Sequence, residues 1–278
     1  MPSLIKVIKY NGEIEPFFVK KVYNSAMRAG ASSSLAKEIS REIEKEIYQN
    51  ITTAEIFKRI RNRLKKENLQ LAMRFSLKDA MKKLGPAGFV FEDFARRVLS
   101  YYEMRIESSM IIHGKCSRYE IDFLAFKNEL VYLGECKYRN KSGDKVDVNV
   151  CLKSFAILDD VKNSGRFKDK SVNFLIVTNA QFTDEAIRYS SCKGLELLGW
   201  NYPKDEGLED MVEAKKLYPV TILPSFKGYL AEALRKERVM LVNDIFSLNI
   251  EKFGKRVNIP KKQLESLRRE AEILIDKK

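Results

Sequence analysis

The chain has 278 residues, with 51 Lys and Arg against 38 Asp and Glu for a formal net charge of +13. That length suffices for two or three compact units, and the charge favours a polyanionic partner, with a Lys/Glu-rich surface of the heat-stable kind as the plain alternative. The four cysteines, Cys116, Cys136, Cys151 and Cys192, have no CxxC spacing, which excludes a zinc site or disulfide framework of the usual pattern, and no apolar run suits a bilayer span or a signal peptide, so a cytoplasmic protein with no membrane partner is expected.

Residues 4–10 read as a short strand, and Asn11-Gly12 supplies the turn after it. Leu35, Ile39, Ile43 and Ile47 recur every four residues with Glu and Lys between them, the stripe of an amphipathic helix. Ile51-Thr52-Thr53-Ala54-Glu55 reads as a helix start, with Ile56, Ile60 and Leu64 as its buried line. A further helix is predicted over 69–84. Gly85-Pro86-Ala87-Gly88 then breaks the pattern, so 1–87 is expected to form a first, mostly helical domain.

From residue 89 a helix is predicted to about 102, burying Phe91, Phe94, Ala95, Val98 and Tyr102. A strand near Met110 precedes two more over 120–126 and 130–137, and a polar, basic loop covers 139–147. A helix through Val150, Phe155 and Leu158, a strand over 172–177, a helix at about 183–192 and a strand at 195–198 follow. Strands alternating with helices predict an α/β domain over 88–202, a mixed β-sheet flanked by helices. Residues 203–278 are expected to be a small, basic helical region. Its last helix has Leu264, Leu267, Ala271 and Leu274 as apolar positions beside Lys261-Lys262, Arg268-Arg269 and Lys277-Lys278.

The two strands at 120–137 carry the chemistry. A turn through Asn128-Glu129, with Asn128 at positive φ, pairs Phe126 with Val131 and Leu124 with Leu133, and sets Asp122 opposite Glu135. Lys137 shares the face of Glu135, two residues away. Two carboxylates side by side on a sheet are costly unless a cation neutralises them. Asp122 and Glu135 therefore point to Mg²⁺ (or Mn²⁺), with the carbonyl of Cys136 as a further ligand, and Lys137 can orient an attacking water or stabilise developing charge. Glu92, aligned with Ala95 and Leu99 on its helix, faces the sheet and would contact the metal from outside or position water. The bland alternative is a solvated salt bridge of Asp122, Glu135 and Lys137 at a sheet edge. The Cys136 side chain is expected in the core, and His113, the only histidine, on a strand surface.

Asp122, then Glu135-Cys136-Lys137 on a hairpin, with Glu92 on the helix before it, resembles the PD-(D/E)XK restriction-endonuclease-like superfamily over about 88–200. Val177-Thr-Asn-Ala-Gln-Phe-Thr-Asp-Glu-Ala186 is similar to the strand-turn-helix of its Mrr-like branch, while Ile121 stands where a proline often does. The resemblance implies a divalent-metal-dependent DNA endonuclease hydrolysing phosphodiester bonds, with Glu92, Asp122, Glu135 and Lys137 as its catalytic residues.

Val7-Ile-Lys9-Tyr-Asn11-Gly12, Glu15-Pro-Phe, Lys20-Lys21-Val22 and Ile51-Thr52-Thr53-Ala-Glu55-Ile56 together resemble the ATP-cone, a regulatory nucleotide-binding domain. That implies ATP or dATP as a regulatory ligand. Lys9 and Lys21 would contact phosphates, Val7, Thr53 and Ile56 would surround the base, Glu15 would touch the nucleotide, and Lys82 or Lys83 would close the site. Tyr10 replaces a second basic residue, and without a GxxxxGK[ST] loop, ATP hydrolysis of the P-loop kind is not expected. The C-terminal helices weakly resemble helix-hairpin-helix-like DNA-binding tails, with Lys261 and Lys262 placed to hold a phosphate; a basic helical cap on the sheet fits as well. The expected partners are DNA and an adenine nucleotide, with a homodimer or higher homo-oligomer left open. Two rival readings stand beside the endonuclease: a non-catalytic, nucleotide-responsive DNA-binding regulator, and a structure-specific or RNA-processing nuclease.

Overall fold

The computed structural model describes residues 5–85, 90–141 and 143–276. Leu4, residues 86–88 of the predicted boundary, Phe89, Lys277 and Lys278 lie outside them. The chain divides into two compact units that alternate along it. The first comprises Met1–Met81, Val220–Ala233 and Glu237–Lys278; the second comprises Lys82–Pro219 and Leu234–Lys236.

In the first unit, β1 (Lys6–Ile8), β2 (Ile14–Pro16) and β3 (Ile51–Thr52) form a sheet in the order β2-β1-β3, β1 running antiparallel to β2 and parallel to β3. Gly12, at φ +84, makes the predicted turn, a conformation that costs a residue without Cβ little. The helices are α1 (Val19–Arg28), α2 (Ser33–Glu46), α3 (Thr53–Glu67), α4 (Leu69–Phe75) and α5 (Leu77–Lys82). Ser32 and Thr52 cap α2 and α3, their hydroxyls accepting from the Leu35 and Glu55 amides at 3.2 and 3.1 Å. The predicted stripes are buried: Ile39 and Ile43 on α2, and Ile56, Ile60 and Leu64 on α3, share one core with Val7, Val22, Ala26 and Ile51. The helix predicted over 69–84 is instead two, separated at Ser76.

The second unit runs α6 (Phe91–Ser100), β4 (Arg105–His113), β5 (Arg118–Lys127), β6 (Leu130–Lys137), β7 (Lys145–Val146), α7 (Val148–Asn163), β8 (Ser171–Thr178), β9 (Gln181–Phe182), α8 (Asp184–Lys193), β10 (Glu196–Leu198) and α9 (Leu208–Ala214). Its main sheet has the order β10-β8-β6-β5-β4, an antiparallel meander of β4, β5 and β6 continued by parallel β8 and β10; β7 and β9 pair separately. This is the mixed α/β sheet expected from the alternation of elements. Asn128 turns the hairpin at φ +52, and Phe126 faces Val131 and Leu124 faces Leu133, the predicted register. Leu124, Val131, Leu133, Phe174 and Ile176 meet Ile157 and Leu158 of α7 in the core. On α7, Asp160 accepts from the Cys116 and Ser117 amides at 2.9 and 3.1 Å and from the Tyr119 hydroxyl at 2.9 Å, pinning the β4–β5 turn. A Cβ at Gly114 would collide with that carboxylate.

The chain then returns to the first unit at Val220; α10 (Ala231–Lys236) is divided between the units after Ala233, and α11 (Ile250–Val257) and α12 (Lys261–Ile275) belong to the first. Buried Thr221 donates to the Ala80 carbonyl at 2.8 Å, and Gln70 of α4 donates to the Leu274 carbonyl at 3.0 Å. Leu264, Leu267, Ala271 and Leu274 are the buried positions of α12, as read from the sequence. The three successive domains expected at 1–87, 88–202 and 203–278 thus differ from the two interleaved units. The apolar stripe of α12 needs a partner, and α4 supplies it. Among the described residues no helix is long and apolar enough to cross a membrane.

Candidate functional site

The hairpin opens into a fork at its charged end. On one side β6 stays paired with β8 to its tip, Glu135 with Ile176, Cys136 with Val177 and Lys137 with Thr178. On the other side its ladder with β5 stops at Phe123 and Gly134, while β5 carries on with β4 through Ile121 and Glu120. Asp122 and Glu135 are the first residues of the two arms. The Asp122 carboxylate bridges the gap, accepting from the Cys136 amide at 2.6 Å where a backbone bond would otherwise lie. Arg96 of α6 donates to the Asp122 carbonyl at 2.9 Å and is paired with Asp93. Lys137 is ion-paired with Glu135.

The field at the fork is acidic. Burial pushes the Asp122 carboxyl above its ordinary value, and the charge of Glu135 adds to the rise, against the pull of the Cys136 amide, Lys137 and Arg96. Burial also raises Glu92, helped most by the charge of Asp122 and further by Asp93 and Glu135, with Arg96 opposing. The charge of Glu135 thus reaches both the Asp122 and Glu92 carboxyls. Among the described residues, however, no group of three or more His, Cys, Asp or Glu is arranged to hold a metal. The fork offers two opposed carboxylates. Cys136 is 6% exposed and its thiol is raised well above the usual range by burial, so its side chain belongs to the core and any part it plays falls to its backbone. His113 is exposed, as expected. Arg96 was not singled out in the sequence; its place on the polar side of the helix, beside Asp93, gave no sign of a long-range bond to Asp122.

The first unit holds a cavity of about 190 Å³ lined by Val7, Glu15, Lys21, Thr53 and Ile56, five of the six predicted nucleotide residues. Local structure explains the convergence. Val7 pairs with both Glu15 and Ile51 across the sheet, and Thr53 and Ile56 stand one turn apart at the start of α3. The sixth, Lys9, is paired with Glu15 at 3.3 Å and Glu13 at 3.0 Å, and Lys21 with Glu15 at 2.9 Å. Bonds to Glu13 and Glu15 raise the Lys9 ammonium, and the bond from Lys21 lowers the Glu15 carboxyl. Phe57 and Phe75, stacked 4.6 Å apart, also line the cavity. Phe57 adjoins the predicted Ile56, but nothing in the sequence pairs it with Phe75. The cavity is smaller than the roughly 300–1,000 Å³ of a pocket that encloses a whole ligand. Lys82, expected to close the site, is the first residue of the second unit.

Residues 5–83 match the model of the ATP cone domain. The chain is similar to an uncharacterized protein of Archaeoglobus fulgidus, 34% identical over 160 residues that cover 56% of this chain and 86% of that protein. It is also similar to the crystal structure of a protein of unknown function, with a TM-score of 0.55 and 27% identity, covering 66% of this chain and 97% of that one.

Proposed function

From a chain that belongs to the family of the uncharacterized Archaeoglobus fulgidus protein and carries an ATP cone domain at residues 5–83, we propose a divalent-metal-dependent DNA endonuclease regulated by ATP or dATP. The ATP cone supplies nucleotide-binding regulation; the hydrolytic activity rests on the fork. The observation that carries it is the opposition of Asp122 and Glu135 where β5 and β6 part, with Lys137 two residues on.

The donor set fits a hard cation: two carboxylate oxygen ligands, one of them held above its ordinary pKa by burial and by the other's charge. Asp122 and Glu135 would hold Mg²⁺ or Mn²⁺, and the ion when bound makes a coordinated water more acidic and offsets charge on the phosphoryl oxygens. Lys137 places a cation beside the phosphoryl group, where it stabilises charge that grows in the transition state. Glu92, kept protonated to higher pH than an ordinary glutamate, positions water beside Asp122. Arg96 fixes the Asp122 backbone so that its carboxylate stays at the mouth of the fork.

The test is Mg²⁺-dependent scission of linear duplex, branched DNA and RNA, with and without ATP or dATP. We expect Asp122→Ala and Lys137→Ala each to lower the rate about 100-fold or more, with binding retained. A wild-type chain that binds duplex DNA and cuts none of the three substrates defeats the proposal. That outcome would leave the second reading, a non-catalytic nucleotide-responsive regulator, which the direct Glu135–Lys137 ion pair favours because it balances the charge of Glu135 without a metal.

A further inference from the structure

We propose that Arg139 contacts the phosphodiester backbone of the nucleic acid beside the fork, and that Asn179 is the positioning residue that holds it there. The inference rests on the nucleic-acid reading of the fork given above.

β6 ends at Lys137, paired with Thr178, yet the chain beyond it is held as though the strand continued. The fully buried Thr178 hydroxyl donates to the Lys137 carbonyl at 2.5 Å and accepts from the Ala180 amide at 3.1 Å. Asn179 is 4% exposed. Its Oδ1 accepts from the Arg139 amide at 2.8 Å and its Nδ2 donates to the Arg139 carbonyl at 2.7 Å. One carboxamide therefore satisfies both backbone groups of Arg139, as a neighbouring strand would. Between them, Tyr138 is fixed by its ring against Phe91, centroids 6.0 Å apart, and by its hydroxyl on the Lys82 carbonyl. Phe91 precedes Glu92, so the same contact ties the start of α6 to the residues that follow Glu135 and Lys137.

A buried carboxamide is costly to bring out of water, and both ends of this one are engaged on a single residue at the rim. Side-chain alternation carried past the end of the strand places Arg139 in line with Glu135 and Lys137. The Arg139 guanidinium is half-buried and donates to the Tyr138 carbonyl at 3.2 Å; among the described residues it is paired with no carboxylate. By contrast, Lys137 is ion-paired with Glu135. A planar guanidinium with forked donors matches phosphodiester oxygens better than an ammonium does. Lys141, two residues on, is exposed.

The test measures binding of the full chain to fluorescent duplex DNA over a series of salt concentrations without divalent metal, beside thermal unfolding. Arg139→Ala should lower the slope of log K against log salt by about 0.9, the release due to one phosphate contact, with the melting temperature unchanged. Arg139→Lys should keep the slope. Asn179→Ala should show the lowered slope of Arg139→Ala even though Arg139 is present, which a purely structural asparagine would not produce. An unchanged slope in Arg139→Ala overturns the proposal; an unchanged slope in Asn179→Ala alone overturns the part given to Asn179. If the wild-type chain cuts nothing while the slope still falls in Arg139→Ala, the nuclease reading fails and the phosphate contact stands.

Discussion

Asp122 is held in a place that a carboxylate does not favour. Its folded-state pKa lies above the ordinary value of 3.8, so the protonated form is preferred by the fold. Below that ordinary value the group is neutral in both states. As pH rises through it and on through the raised value, the unfolded chain gives up its proton first, and stability falls across that window. Asp122→Asn keeps an oxygen to accept from the Cys136 amide and removes the charge. The variant should therefore melt a few degrees above the wild type at neutral pH, within the range of about 0.5–2 kcal/mol common for single stabilising substitutions, and the gap should close in acid. Mg²⁺ should raise the wild-type midpoint and leave the variant's unmoved. Calorimetry at several pH values checks this, and a gap as large in acid as at neutral pH contradicts it. Asp122, Glu135 and Lys137 were legible in the sequence because strand alternation has a period of two and Asn128 fixes the turn. Arg96, Asp160 and Asn179 were not, because each acts through a side-chain bond to backbone far along the chain, and no local pattern encodes such a bond.

The elements follow the same division between local and distant causes. Ile39 and Ile43 announce α2, and Thr52 announces the start of α3, because stripe and cap are both local. α1 escaped the sequence reading: its buried positions are only Val22 and Ala26, too thin a stripe to stand out among charged neighbours. The break at Ser76 had no proline or glycine to signal it. At the fork the decisive pair is Phe123 and Gly134, the last of the β5–β6 ladder, where a Cβ on Gly134 would run into the Phe123 ring. Gly134→Ala should cost about 1–3 kcal/mol by overpacking and pry the arms apart beside Asp122. Phe123→Leu in the same chain should restore part of that loss, a coupling readable in a double-mutant cycle of unfolding free energies. Strictly additive effects would mean that the ring does not set the spacing of the fork.

At the scale of the whole molecule, order along the chain and order in space disagree. The sequence placed its last 76 residues, 203–278, in a region of their own, because a charged helical tail after a proline looks detachable and no local pattern says which surface will cover an apolar stripe. Instead Val220–Ala233 and Glu237–Lys278 complete the unit that holds the cavity lined by Val7, Lys21 and Thr53, and Gln70 and Ala80 receive them through Leu274 and Thr221. Residues 82–219 of the sheet unit are thus inserted within the chain of the first unit. A chain stopped at Pro219 would lose the buried Leu264, Leu267, Ala271 and Leu274 and uncover the face of α4 beneath them, at several kcal/mol by large-to-small analogy. ATP at a hundredfold excess over its dissociation constant should stabilise the intact first unit by about 2.7 kcal/mol. In the shortened chain that nucleotide-dependent rise in melting temperature should vanish, while the near-ultraviolet signal of Trp200, buried in the sheet unit, should survive. A shortened chain that keeps its full response to ATP would mean that α11 and α12 are an appendage, and that the ATP cone needs nothing beyond Pro219.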